Sequence, residues 1–347
     1  MKNAIQNLPK SLTLPKSAAS QTRSLFNSPY FTSVITVALF AIMFGLGSFS
    51  YTGFFSVQVF FNLLIDNAYL LVIGIGMTFV ILSGGIDLSV GSVLALTTMI
   101  SAYLLESLHW PPLFVMICVL LIGSLFGAFM GALIHFFKLQ AFIVTLAGMF
   151  FARGLCYLIS INSITIDNPL YVSLSQARLT FFGAFISPSV MIALVMLGVA
   201  IYLAHYTRFG RAVYAIGGDE ESALLMGLPV GRTKILIYSF SGFCASLAGI
   251  LFSLYMLSGY GLHAQGAELD AIAAVVIGGT LLSGGYGYVA GTLSGVLILG
   301  VIQTLITFDG TLSSWWTKIV IGALLFIFCL AQRLLAIGGK ARGKATA

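Results

Sequence analysis

The sequence predicts an all-α membrane protein of about ten spanning helices, on three observations. Apolar residues make up 59% of the 347-residue chain, charged residues only 7%, and the mean hydropathy is +1.06. A soluble domain could not cover its surface with so few polar side chains. Predominantly apolar runs of roughly 20 residues, enough to cross a bilayer, follow one another from Phe31 onward. The basic residues, source of the +6 net charge, gather in the two ends and one internal loop, which marks a cytoplasmic membrane face rather than a nucleic-acid surface.

In chain order, residues 1–28 carry Lys2, Lys10, Lys16 and Arg23 and lack the apolar core and cleavage site of a secretory signal. They read as a retained cytoplasmic tail. The membrane domain is expected over 29–336, with spans at 31–49, 57–82, 86–106, 112–135, 140–161, 189–206, 233–257, 268–286, 289–308 and 316–335. With the tail inside, the inner turns receive Lys138, Arg208, Arg211, Arg232, Lys234 and, at the end, Arg333, Lys340, Arg342 and Lys344. The outer turns receive Arg178 and Lys318, together with Glu106, Asp167, Glu268, Asp270 and Asp309, so both termini are expected in the cytoplasm. Residues 337–347 then form a basic, flexible inner tail. Cys118, Cys156, Cys244 and Cys329 lie in apolar runs without paired spacing, which predicts neither disulfides nor a metal site.

The chain is organised around Leu82–Leu96, LSGGIDLSVGSVLAL. Asp87 sits there between two uncharged segments, where a carboxylate costs roughly 2.5–3.5 kcal/mol unless it meets a cavity, a partner or the membrane edge. Gly84 and Gly85 break the helix just before it, as in broken helices that bring backbone groups to a transport path. Asp87 either faces such a path or caps the following helix. Asn62, Asp66 and Asn67 are further path candidates, the first two on one helix face; the alternative is that they only bond neighbouring helices. The motif returns 200 residues later, where Leu282-Ser283-Gly284-Gly285 and Gly291 echo Leu82-Ser83-Gly84-Gly85 and Gly91, with Gly287 opposite Asp87. An internal repeat with chemically unequal halves is the expectation. Gly123, Gly127, Gly131 and Gly287, Gly291, Gly295 recur every four residues, suiting close helix packing within the bundle or a dimer seam.

The connection from Tyr206 to Lys234 is far longer than a turn between spans requires. Asp219 can cap a short helix with Glu220 and Glu221 in its first turn, ended by Gly227 and Pro229. Its apolar edge of Ala223, Leu224 and Met226 lies among Arg208, Arg211 and Arg232 and fits a groove on a partner protein, or lipid headgroups.

Two other functional classes are weaker. An ion-coupled secondary transporter explains a broken helix and a buried acid but has no use for a docking helix. A membrane enzyme lacks a constellation, because His109, His135, His205 and His263 stand apart near span ends. Gly338–Lys344 resembles a phosphate-binding loop, yet Ala345 stands where a magnesium-binding hydroxyl is needed, so the chain is not expected to bind ATP.

Three separated motifs carry a family resemblance: GMTFVILSGGIDLSVGSVLAL (76–96), FGRAVYAIGGDEESALLMGL (209–228) and ELDAIAAVVIGGTLLSGG (268–285). In that order they resemble the ribose/galactose-type permeases of bacterial ABC sugar importers. The segments AFIVTLAGMFFARG (141–154) and FDGTLSSWWTKI (308–319) are similar to the galactofuranose-importing branch, with ribose or another monosaccharide as the alternative cargo. The resemblance implies an inner-membrane permease that is not itself an enzyme and holds no cofactor. A partner ATPase would bind ATP and magnesium, a second and non-identical permease would stand beside it, and a periplasmic sugar-binding protein would dock above. It also implies that 206–234 is the loop coupled to the ATPase, through Arg208, Arg211, Gly217, Gly218, Asp219, Ala223, Leu224 and Met226. Glu268 and Asp270, on an outer turn, are candidates for receiving the binding protein's basic residues, unless they simply favour the helix start they occupy.

Overall fold

A computed structural model describes residues 31–181, 183–313 and 315–343. The expected tail 1–28 and Lys344 lie outside the described residues. Fourteen helices occur among the described residues, and they follow the expected spans with three instructive differences.

Helix α1 is Phe31–Ser50. The second span is two helices, α2 (Val57–Asp66) and α3 (Ala68–Leu82), meeting at a 56° bend around Asn67. Helix α3 is apolar on every face and correspondingly sits at the centre, with all but one of its residues buried. After the predicted break at Ser83–Ser89 comes α4 (Val90–Ala102), which widens into a π turn over Tyr103–Ser107. Helices α5 (Pro112–Phe136) and α6 (Ala141–Ile159) are full spans.

The connection after α6 pairs strand β1 (Ile164–Thr165) with β4 (Ser258–Gly259) and folds β2 (Leu179–Phe181) against β3 (Ala184–Ile186), with the short α7 (Pro169–Gln176) between them. Helix α8 (Pro188–Tyr206) returns across the bundle to α9 (Arg208–Gly218) and α10 (Glu220–Leu225). The long α11 (Val230–Met256) leads to α12 (Ala267–Ile277), α13 (Val289–Asp309) and α14 (Trp315–Gly343).

The second difference is α12. Its 11 residues reach only about 16 Å, half a bilayer, where the hydropathy pattern predicts one span over 268–286. The rest of that segment, 278–288, is irregular backbone with left-handed glycines, a shape that apolar composition alone does not disclose. Among the described residues, six helices are long and apolar enough to cross a membrane unbroken, or seven if the bent pair is one span. The third difference is at the end: α14 stays helical through Gly343, past the boundary at 336 where a flexible tail is expected.

Both glycine runs are used inside the chain. Side-chain carbon at Gly123 or Gly127 would collide with Ser246 or the Tyr238 carbonyl, so these glycines let α5 and α11 touch backbone to backbone. Gly291 and Gly295 do the same for α13 against Gly278, just past α12, and Ala274 within it. Neither run is free to form a dimer seam.

Candidate functional site

The two halves of the sequence echo meet in space. The Gly285 amide donates to the Leu82 carbonyl at 2.9 Å, tying the second break to the end of α3. Gly84 and Gly284 both adopt φ near +80°, which L side chains avoid, and a methyl on Gly284 would lie 2.7 Å from the Gly84 nitrogen. Into this junction runs the C-terminal end of α9. A methyl on Gly217 would overlap the Leu82 carbonyl oxygen and come within 2.5 Å of the Gly285 nitrogen, whereas one on Gly218 would meet nothing within 4 Å. Tyr214, one helical turn earlier, donates its hydroxyl to the Gly287 carbonyl at 2.7 Å. Burial raises that phenol to about 12, so it remains a donor at any physiological pH. The expected helix-break residues and the Gly217–Gly218 pair thus form one contact, which sequence separation conceals.

Beyond the junction, the Asp219 side chain accepts from the Ser222 amide and starts α10 as the spacing predicts. That bond holds its carboxyl below the usual range. The apolar edge differs from expectation. Ala223 is fully buried in a small cluster with Ile216 and Val230, because it faces back onto α9 and α11. Leu224, Leu225 and Met226 are instead 63%, 88% and 69% exposed, so Leu225 replaces Ala223 in the outward patch. Lys234 grips Glu220 at 2.7 Å and fixes α10 against the start of α11. Arg208 and Arg211 are exposed on α9.

Asp87 is fully buried. One carboxylate oxygen accepts from the Ser89 amide at 2.9 Å and the Ser89 hydroxyl at 2.6 Å; the other accepts from Ser241 of α11 at 2.7 Å. Ser89, not Asp87, is the residue at the helix boundary, and Asp87 bonds it from two positions upstream. The carboxylate thus links the break to α11. Ser241, its partner 154 residues away, leaves no local signal in the sequence.

Asn62 accepts from Gln58 at 2.8 Å, Asp66 accepts from Tyr255 at 3.2 Å, and Asn67 donates to the Leu63 carbonyl at the bend. Asn62 and Asn67 thus bond one turn back along α2, and Asp66 meets Tyr255 of α11, while Asn62 and Asp66 remain exposed. Asp270 is bound to Lys318 at 2.6 Å, and Glu268 turns one buried oxygen against Gly91 with no hydrogen-bond partner among the described residues. Arg153, inside α6, donates to the Gly261 and His263 carbonyls at 2.6 and 2.8 Å and holds the segment between α11 and α12 inward. His263 is accordingly half-buried beside Phe252 and Tyr260. A lone arginine in a span was the available signal for that clamp. No cluster of metal-ligating side chains occurs among the described residues.

The family described as "Branched-chain amino acid transport system / permease component" matches residues 59–329. The inner membrane ABC transporter permease protein YjfF of Escherichia coli is 53% identical over 312 residues, covering 88% of this chain and 92% of that protein. The fructose import permease protein FruG of Bifidobacterium longum is 39% identical over 317 residues, covering 88% and 92%. The ribose import permease protein RbsC of Haemophilus influenzae is 38% identical over 287 residues, covering 81% and 87%. No solved structure matches.

Proposed function

The chain belongs to this permease-component family, among the sugar-importing ABC permeases, and from that premise we propose that it is the membrane subunit through which an ATP-driven importer passes galactofuranose. It is a multi-pass inner-membrane permease component and not an enzyme; hydrolysis falls to an ATP-binding subunit, and the sugar is delivered by a periplasmic binding protein. ATP and magnesium are held by that partner, and a second, non-identical permease completes the path. The galactofuranose reading rests on the resemblance of 141–154 and 308–319, and ribose or another monosaccharide is its competitor.

One observation carries the coupling role: the exposed Leu224-Leu225-Met226 tip is joined through α9 to the junction of both broken segments. An ATPase seated on the tip moves α9, and Gly217 and Tyr214 pass that motion to backbone at Leu82, Gly285 and Gly287. Helix alternation puts 83–89, 207–229 and 278–288 on one side, the side of Lys138 and Arg211, which supports cytoplasmic termini.

Purification from mild detergent, followed by uptake of labelled galactofuranose and ribose in liposomes, tests the proposal. An ATPase and a distinct permease should copurify, and galactofuranose should outcompete ribose. Uptake that persists without any ATPase would mean an ion-coupled carrier instead.

A further inference from the structure

A cavity of about 460 Å³ opens between the α2–α3 bend, the inward-held segment before α12, and helices α13 and α14. Its volume falls within the range of small-molecule sites. Gln303 lines it from the outer third of α13, six residues before Asp309, and Gln265 from the connection facing it. Both side chains are exposed, and neither amide has a hydrogen-bond partner among the described residues. An amide about 9 Å from the outer end of a spanning helix is costly against hydrocarbon if left unpaired, so this space holds water or a polar ligand. Its charged groups, Asp270 and Lys318, are bound to one another at 2.6 Å and cancel. That balance disfavours an anionic or cationic occupant. Tyr69 supplies an aromatic wall, packed edge-on against Phe252 at 4.9 Å.

A primary amide donates and accepts at once, which matches neighbouring hydroxyls on a polyol, and an aromatic ring covers the apolar face of a sugar. We propose that this cavity is a contact site for a neutral monosaccharide-sized polyol, held by Gln265 and Gln303 beside Tyr69. The assignment rests on the importer reading and adds a place where this subunit itself touches cargo. Two amides give weak, reversible contact, as a path requires, since tight holding would slow release inward.

The test uses the assembled importer with its ATPase and sugar-loaded binding protein in liposomes. Gln265→Leu with Gln303→Leu should lower sugar moved per ATP hydrolysed roughly tenfold, the scale of leaving polar cargo groups unpaired. ATP hydrolysis stimulated by the loaded binding protein should stay unchanged, and Gln303→Asn should recover part of the loss. Unchanged uptake in the double variant overturns the proposal; so does an equal fall in uptake and stimulated hydrolysis, which would make the glutamines part of assembly. A second measurement needs no turnover: Gln303→Cys, with Cys118 and Cys329 replaced by Ser, is labelled with a water-soluble thiol reagent. Galactose or ribose should slow labelling in a concentration-dependent way while glycerol phosphate does not. Labelling indifferent to both sugars, or blocked by the second permease alone, overturns the site. Failure of the importer reading looks different, as wild-type uptake that ignores the ATPase.

Discussion

Replacing Gly217 with alanine adds one methyl group where the structure has none to spare. It would overlap the Leu82 carbonyl oxygen and crowd the Gly285 nitrogen, the two ends of the bond between the breaks. Overpacking of this kind costs about 1–3 kcal/mol. Parting Gly285 from Leu82 leaves a half-buried donor and a buried acceptor unmet, for about 1–3 kcal/mol more. Alanine's better helix propensity returns about 1 kcal/mol. The net, roughly 1–5 kcal/mol against the joined state, shifts the junction's equilibrium at least about fivefold. Gly218→Ala has the same propensity gain and no neighbour within 4 Å, so it is the matched control. In the reconstituted importer, Gly217→Ala should sever sugar uptake from ATP hydrolysis, raising basal hydrolysis and removing its stimulation by loaded binding protein. Gly218→Ala should behave as wild type. Normal stimulation and uptake in Gly217→Ala, or equal defects in both variants, would refute the idea that this contact transmits coupling.

Asp87→Leu removes the acceptor of Ser89 and Ser241, and uptake should fall sharply, with a stability loss of about 1–3 kcal/mol for each donor left unmet. Asp87→Asn keeps an acceptor for Ser89 and should be milder; wild-type uptake by the Leu variant would leave the link without a role. Asp270→Lys sets a second ammonium against Lys318, so thermal stability should drop. A variant that keeps its melting temperature yet loses salt-dependent binding-protein association would instead establish docking at the acidic pair. The Asp219 carboxyl lies below its usual value, so its cap on α10 is fully present above the unfolded pKa and is lost as pH falls through the lower, folded one. Stimulated hydrolysis should therefore hold through neutral pH and decline only in acid, and Asp219→Asn should flatten that decline.

Much of this architecture was legible along the chain. Hydropathy located the crossings because lipid demands long apolar helices, and glycine pairs located both breaks because irregular backbone needs residues that tolerate positive φ. The α10 cap was readable from Asp219 and its spacing to Ser222, since a cap is a local bond. Other features depended on contacts between distant residues. The bend at Asn67 and the shortness of α12 are invisible to an apolar count, which does not separate a continuous helix from a half-helix followed by buried loop. Ala223 carries the same apolar label as Leu224, and only the packing of α10 onto Ile216 and Val230 sorts inside from outside. Asp87 announced its cost in sequence, but the hydroxyls that meet that cost come from Ser89 and from α11, chosen by how the bundle closes. Two glycine motifs and a long polar loop can be read along the chain. That they touch follows from the fold, because removing side chains from three distant segments is what lets their backbones share one point.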